Sequence, residues 1–242
     1  MADSVSYAGY GRWKAWDVSG FGQFRRNEAV YFEGELRRAG VVGLQGAQVL
    51  ELGFGNGSFA GWARAQGADY QGVEVIPELL AAAGARGFHV MPAQELDAGA
   101  VPANSLDLVA AFDVFEHLPI ATLQLLLQRL AVTLKPGGRV LARMPSGDSP
   151  FSRGIQHGDL THCTVLGSSA VRQLAPRVGL SVEQVRAPFQ AWQGDGALRT
   201  LKRAAVAGLR ALAYPVIAEV FMGGGRPVLT PNMLIVLRKS ER

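Results

Sequence analysis

From residue 47 onward, short apolar runs alternate with longer stretches whose apolar positions recur every three or four residues. The short runs read as strands and the 3.6-residue period as helices, and their alternation marks a parallel sheet with crossover helices. The pattern predicts strands over residues 47–52, 70–75, 89–90, 106–112, 139–144 and 180–186, with a last strand over 233–239. Helices are expected over 58–66, 77–85, 120–134 and 168–178. Pro77 stands at a favoured first helical position. Lys135-Pro136-Gly137-Gly138 supplies a basic last turn followed by breakers. Ahead of the sheet, residues 1–45 form an aromatic-rich helical cover whose best helix candidate is 24–39. Residues 145–167 read as a loop. The stretch 188–231 is far longer than a hairpin connection of about 2–5 residues, so it reads as a helical insertion. The whole is expected to form one α/β, doubly wound domain over 1–242, with its core in 46–187 and 232–240.

Composition changes this picture little. A 48% hydrophobic and 18% charged chain of 242 residues is globular with a sizeable core. The single cysteine, Cys163, excludes an intrachain disulfide and fits a reducing cytosol, so a cytoplasmic location is expected. The first residues carry no apolar signal-peptide core. No unbroken run of about 18 apolar residues occurs, so no membrane span is expected. The net charge of +4 is concentrated late: Arg199, Lys202, Arg203 and Arg210 gather on one segment, and Arg238, Lys239 and Arg242 close the chain. Such clusters meet anionic lipid, glycan or nucleic acid, or simply form a solvated helix face.

The chemistry starts at Val49-Leu50-Glu51-Leu52-Gly53-Phe54-Gly55-Asn56-Gly57-Ser58, an apolar run entering a glycine loop before a helix. A Walker loop places lysine before Ser/Thr, and Gly57-Ser58 lacks it, which argues against a nucleoside triphosphate. The dinucleotide fingerprint G-x-G-x-x-G differs in spacing, and Glu51 would repel a pyrophosphate. A carboxylate beside a ligand carrying an amino group and a sulfonium is instead favourable. Glu74 follows 17 residues after Gly57, where it can accept both hydroxyls of a ribose.

The pattern E-L-G-x-G-x-G resembles motif I of the class I S-adenosylmethionine-dependent methyltransferases. Further matches are Leu106-Asp107-Leu108-Val109, Phe112-Asp113-Val114-Phe115-Glu116-His117-Leu118 and Leu134-Lys135-Pro136-Gly137-Gly138, in the same order across about residues 47–186. The resemblance implies a Rossmann-like, seven-stranded, mostly parallel sheet with an antiparallel last strand, and S-adenosylmethionine as cofactor. It assigns Glu51, Gly53, Phe54, Gly55, Asn56, Gly57, Glu74, Val75, Phe112 and Asp113 to cofactor binding. At the usual adenine position the chain reads Met91-Pro92-Ala93-Gln94-Glu95-Leu96; Pro92 offers no side-chain acceptor, leaving Gln94 or backbone groups.

The segment Gly158-Asp159-Leu160-Thr161-His162 and the ending Leu229 to Lys239 resemble bacterial O-methyltransferases of O-antigen and capsular polysaccharide synthesis. The acceptor this implies is a glycan, a nucleotide-sugar or a lipid-linked sugar. Methylating a hydroxyl needs a base, and histidine suits that role. The candidates are His162, with Asp159 orienting its ring, and His117; His157 is less favoured. A divalent ion such as Mg2+ is a second possibility. Asp113, Glu116 and His117 would share one face if their segment were helical, with His162 returning 45 residues later. This set resembles the ion site of small-RNA 2′-O-methyltransferases and quinone-biosynthesis O-methyltransferases. Metal-free relatives also carry Glu-His-Leu here, where it supports the cofactor loop.

Tyr7, Tyr10, Trp13 and Trp16 either pack on the core or close over the cofactor or a sugar. His89, beside an apolar strand, and Cys163, as a small buried residue, read as structural. Within the insertion, residues 197–213 form an amphipathic basic helix, able to pack on the domain or a second subunit, or to contact a membrane peripherally. Pro215 is expected to interrupt or kink it, and Gly223-Gly224-Gly225 to end it. The competing functions are a small-molecule O-methyltransferase acting on a quinone or secondary metabolite, and a cofactor-binding module without catalysis. The Asn/Asp-Pro-Pro-Tyr/Phe motif of base methyltransferases is absent after residue 112, so among nucleic-acid reactions only RNA 2′-O-methylation stays open.

Overall fold

A computed structural model describes residues 10–14, 16, 18–192 and 196–241. Tyr7 and Arg242 lie outside the described residues. The strands are β1 (Gln48–Leu52), β2 (Asp69–Glu74), β3 (His89–Pro92), β4 (Leu106–Phe112), β5 (Leu134–Pro145), β6 (Ser181–Arg186) and β7 (Asn232–Arg238). The helices are α1 (Tyr10–Trp13), α2 (Arg26–Arg38), α3 (Ser58–Ala65), α4 (Pro77–Gly84), α5 (Ala93–Asp97), α6 (Ile120–Thr133), α7 (Arg153–Gln156), α8 (Ser168–Arg177) and α9 (Ala197–Met222). The strands form one sheet in the order β3-β2-β1-β4-β5-β7-β6, with β7 antiparallel to both neighbours and the other pairings parallel.

Both faces of this sheet are buried, and the two-residue period of a strand sorts the side chains between them. On one face Leu50, Val109, Val140 and Ile235 pack under Leu123, Leu127 and Leu130 of α6 and Val171 of α8. On the other, Val49, Leu108, Leu141 and Val236 meet Phe32 of α2, Phe59 and Trp62 of α3 and Leu79 of α4. The connections reverse direction between β1 and β4, so the carboxyl ends of these neighbours splay their loops apart. Such a switch point opens a crevice.

Several expectations are corrected. Strand five begins at Leu134 rather than 139, and the Lys-Pro-Gly-Gly breaker lies inside it. Gly137, at φ +79, bends the strand so that its N–H still reaches Lys239 O at 3.0 Å. Residues 93–97, which carried no helical assignment, form α5, and the 145–167 loop contains α7. Cys163 is exposed, not buried. Pro215 does not end α9, which runs 26 residues and closes at Gly223, φ +61, with Gly224 N–H donating to Ala218 O at 2.9 Å. The helix meets the domain along one side only: Thr200, Arg203 and Tyr214 bond to carbonyls of the flanking segments, and Ala218 is its one buried residue among those described. It is also long and apolar enough to cross a membrane, and almost none of it is buried.

Candidate active site

The crevice between β1 and β4 is a cavity of about 1050 Å³. β1 delivers Glu51 and then turns through glycines with positive φ into α3. A side chain at Gly57 (φ +76) would place Cβ 2.5 Å from Phe21, and one at Gly53 (φ +61) would place it 2.7 Å from Val114. Only glycine fits this cradle, so backbone rather than side chains faces the cavity there. Gly53, Phe54, Gly55 and Asn56 line the wall, whereas Gly57 turns the chain into α3 behind it.

Two buried carboxyls stand beside the loop. Glu74, at the end of β2, accepts N–H bonds from Val75 at 2.7 Å, Ile76 at 3.3 Å and Gly55 at 3.3 Å. Burial raises its pKa and these backbone donors pull it back. Glu51 accepts a 2.7 Å bond from the Tyr70 hydroxyl. Burial pushes Glu51 up to about 8; the Tyr70 bond opposes that and the nearby Glu74 adds to it. The side-chain-free cradle, the Glu74 acceptor and a buried acid awaiting a cation fit S-adenosylmethionine: Glu74 for the ribose hydroxyls, Glu51 on the cationic side. Gln94 does not share the wall. It points to solvent from α5, and Ala93, Leu96 and Asp97 stand at the cavity instead.

Val75, Phe112 and Asp113 also line the cavity. Asp113 has φ +60 and its N–H donates to Arg143 O at 2.8 Å. Its carboxylate accepts from Arg143 Nε at 2.9 Å and from Arg143 Nη2, a two-pronged pair. Burial alone would lower the Arg143 pKa, but Asp113 outweighs it and holds the guanidinium firmly charged. This corrects the proposed ligand set: Asp113 stands in a bend, and Phe115–His117 is a single 3-10 turn, so the three residues share no helical face.

The remaining three do converge. Cys163 and Thr164 donate their N–H groups to Glu116 O at 2.8 and 3.0 Å, strapping the 158–164 segment onto the turn after β4. One ligand atom each from Glu116, His117 and His162 then lies within 4.8 Å of the others. Glu116 Oε2 and His162 Nδ1 are buried without a hydrogen-bond partner among the described residues, which suits a cation as well as a neutral acid. Burial indeed raises Glu116 to about 8, with Asp113 adding to the shift.

His162 does not reach the cavity wall; His117 does. The two rings pack edge to face, 4.7 Å apart. Asp159 lies 3.7 Å from His162 Nε2, but its stronger partners are Thr161 Oγ1 at 2.6 Å, the Tyr10 hydroxyl at 2.9 Å and Lys14 at 3.2 Å. Burial opposes its ionisation, yet these bonds hold its carboxyl well below the usual range. An ionised carboxylate only accepts, so Thr161 donates its hydroxyl hydrogen to Asp159. The 2.8 Å contact between Thr161 Oγ1 and His117 Nδ1 must therefore run from His117, which leaves Nε2 as the acceptor nitrogen. Burial and the neighbouring His162 lower the His117 pKa to about 4, so its ring is neutral at pH 7.

The N-terminal aromatics divide. Tyr10 and Trp16 line the cavity with Lys14, Trp16 lying over Gly55, while Trp13 is exposed. The sequence reading gave no role to Thr161, Lys14 or Arg143. Arg143 had left a signal, a charge between the apolar Val140-Leu141-Ala142 run and Met144. Thr161 had none beyond its place between Asp159 and His162.

Residues 24–185 match the family described as methyltransferase domain. The fold is similar to a SAM-dependent methyltransferase from Archaeoglobus fulgidus, with TM-score 0.63 and 19% identity over 88% of this chain and 94% of that one. It is also similar to an S-adenosylmethionine-dependent methyltransferase from Mesorhizobium loti, with TM-score 0.56 and 19% identity over 84% of this chain and 95% of that one. Among curated proteins none matches.

Proposed function

This chain belongs to the methyltransferase-domain family and is an S-adenosylmethionine-dependent methyltransferase; from that premise we propose that it methylates a sugar hydroxyl in cell-surface polysaccharide synthesis. The acceptor is the glycan itself or its nucleotide- or lipid-linked precursor, met on the cytoplasmic side. The observation that carries the hydroxyl reading is the line of hydrogen bonds from Asp159 through Thr161 to His117, a residue of the cavity wall whose Nε2, 3.5 Å from the Tyr10 hydroxyl, is left as the acceptor nitrogen.

When bound, the cofactor supplies an electrophilic methyl group on a positively charged sulfur. The chain supplies the rest. A sugar hydroxyl is a poor nucleophile until its proton is accepted, and neutral His117 Nε2 can take it. The resulting imidazolium is held by Thr161 and stabilised by the ionised Asp159 beyond it, as an oriented base requires. Tyr10 and Lys14 fix Asp159 from the N-terminal segment, and Trp16 lies against Gly55 of the cradle. The sugar assignment is supported by the resemblance of Gly158 to His162 and of Leu229 to Lys239 to polysaccharide O-methyltransferases.

The test is transfer of labelled methyl from S-adenosylmethionine to nucleotide-sugars, lipid-linked oligosaccharides and quinone or catechol acceptors in parallel. An ether on a sugar hydroxyl is expected. Transfer to the aromatic acceptors alone would overturn the sugar reading. A rate abolished by chelation and restored by Mg2+ would reassign Glu116, His117 and His162 to a cation that acidifies the hydroxyl.

A further inference from the structure

We infer that α9 is a membrane-surface helix whose outward apolar face lies in the headgroup region of an anionic phospholipid bilayer. One side of the helix belongs to the protein. Thr200 Oγ1 donates to Trp192 O at 2.7 Å, Arg203 Nη1 to Ala191 O at 2.7 Å and the Tyr214 hydroxyl to Pro227 O at 3.1 Å, with Ala218 buried on the same side. At about 100° per residue, the opposite side carries Leu198, Leu201, Leu209, Leu212, Val216 and Val220. All six are solvent-exposed, Leu198 at 82% and Leu212 at 74%. An amphipathic helix of a soluble domain turns such a stripe inward; this one is turned out.

Charge identifies the occupant. Arg199, Lys202 and Arg210 lie along one shoulder of the apolar stripe, and Glu219 is the one acidic residue in the 26. Apolar side chains flanked by a basic edge match a bilayer presenting acyl chains below anionic phosphates. A second apolar surface lies at the end of the helix, on its protein-facing side. Phe221, 76% exposed, and Met222 share a cavity wall with Phe151 and Val165, both exposed.

Topology makes the helix lie flat. Its length suffices to span a bilayer, at about 1.5 Å per residue. However, β6 precedes it and β7 follows it, and these strands are hydrogen-bonded neighbours in one sheet. One crossing would put them on opposite sides of the membrane. The helix therefore rests on the surface with both ends returned to the domain.

The experiment is vesicle co-sedimentation of the full chain, with phosphatidylcholine alone and with phosphatidylcholine mixed with phosphatidylglycerol. Binding is expected to the mixed vesicles, falling steeply with salt and reversed by alkaline carbonate. Leu209→Glu with Leu212→Glu should abolish it. Arg199→Gln, Lys202→Gln and Arg210→Gln should each weaken it about fivefold, on the anionic vesicles only. These side chains face solvent, so circular dichroism and cofactor affinity should stay at wild-type values and exclude misfolding. Three outcomes overturn the inference. The first is wild type recovered wholly in the supernatant, and the second is failure of carbonate to extract it. The third is a dimer in sedimentation velocity without lipid that Leu209→Glu with Leu212→Glu dissociates, which assigns the face to a second copy.

Discussion

Replacing Glu51 by Gln should stabilise the protein without ligand at neutral and alkaline pH while weakening its hold on the cofactor. The Gln side chain keeps an acceptor for the Tyr70 hydroxyl and removes the titration. The carboxyl moves from 4.5 to about 8 on folding. The folded state therefore prefers the protonated acid, and the stability this gives is full below 4.5 and lost as the pH rises to about 8. At 1.36 kcal/mol per pH unit of difference, Glu51 costs the fold about 1 kcal/mol at pH 5 and about 5 kcal/mol at pH 9. The stability gap between variant and wild type should therefore widen by about 4 kcal/mol between those pH values. Urea unfolding at several pH values, followed by circular dichroism, measures the gap; Glu116 contributes equally to both proteins, whereas the coupling of Glu51 to Glu74 is lost in the variant and belongs to the gap. Calorimetry should meanwhile show cofactor affinity reduced roughly a hundredfold, since the variant cannot ionise beside the cationic ligand. The free ligand's amino group titrates near pH 8, so the two affinities are compared at one pH below that, where it is charged. A gap that stays constant from pH 5 to 9 would refute the argument that Glu51 is a buried acid waiting for a cation.

Gly57→Ala places Cβ 2.5 Å from Phe21 at φ +76, so a loss of about 2 kcal/mol or more in thermal unfolding and weaker cofactor binding are expected; an unchanged melting curve contradicts the packing. His117→Ala should lower kcat by about 10²–10⁴ while cofactor affinity stays constant, and full turnover would remove it as the base. Thr161→Val breaks the link that fixes the His117 tautomer and should lower kcat with little change in KM, whereas Thr161→Ser should restore it. Trp16→Ala uncovers Gly55 and should raise the cofactor Kd, read by fluorescence titration against wild type.

The alternation of strand and helix, the seven strands and the glycine loop were legible in the chain because they rest on local rules. A two-residue or 3.6-residue period needs only neighbours, and Gly53, Gly55 and Gly57 announce positive φ by themselves. The same locality misled where a distant partner decided. Lys135 to Gly138 breaks a helix locally, yet the pairing of Leu134 and Arg139 with β4 on either side, and the bonds of Gly137 and Gly138 to Lys239, draw it into β5. Asp113 looked like a ligand beside Glu116 and His117 until Arg143, 30 residues on, claimed its carboxylate. Pro215 weakens a helix but did not stop α9.

The sequence by itself determined the methyl donor's cradle, because Glu51, the glycines and Glu74 come in fixed order at the ends of adjacent strands. Only the tertiary structure decided which histidine meets the cavity. That choice depends on Asp159 and Thr161 arriving from a loop more than 40 residues away and imposing a tautomer on His117. Only the tertiary structure, too, turned the leucines of α9 outward. A helical period states that an apolar face exists, and the way the chain returns to the sheet settles where it points.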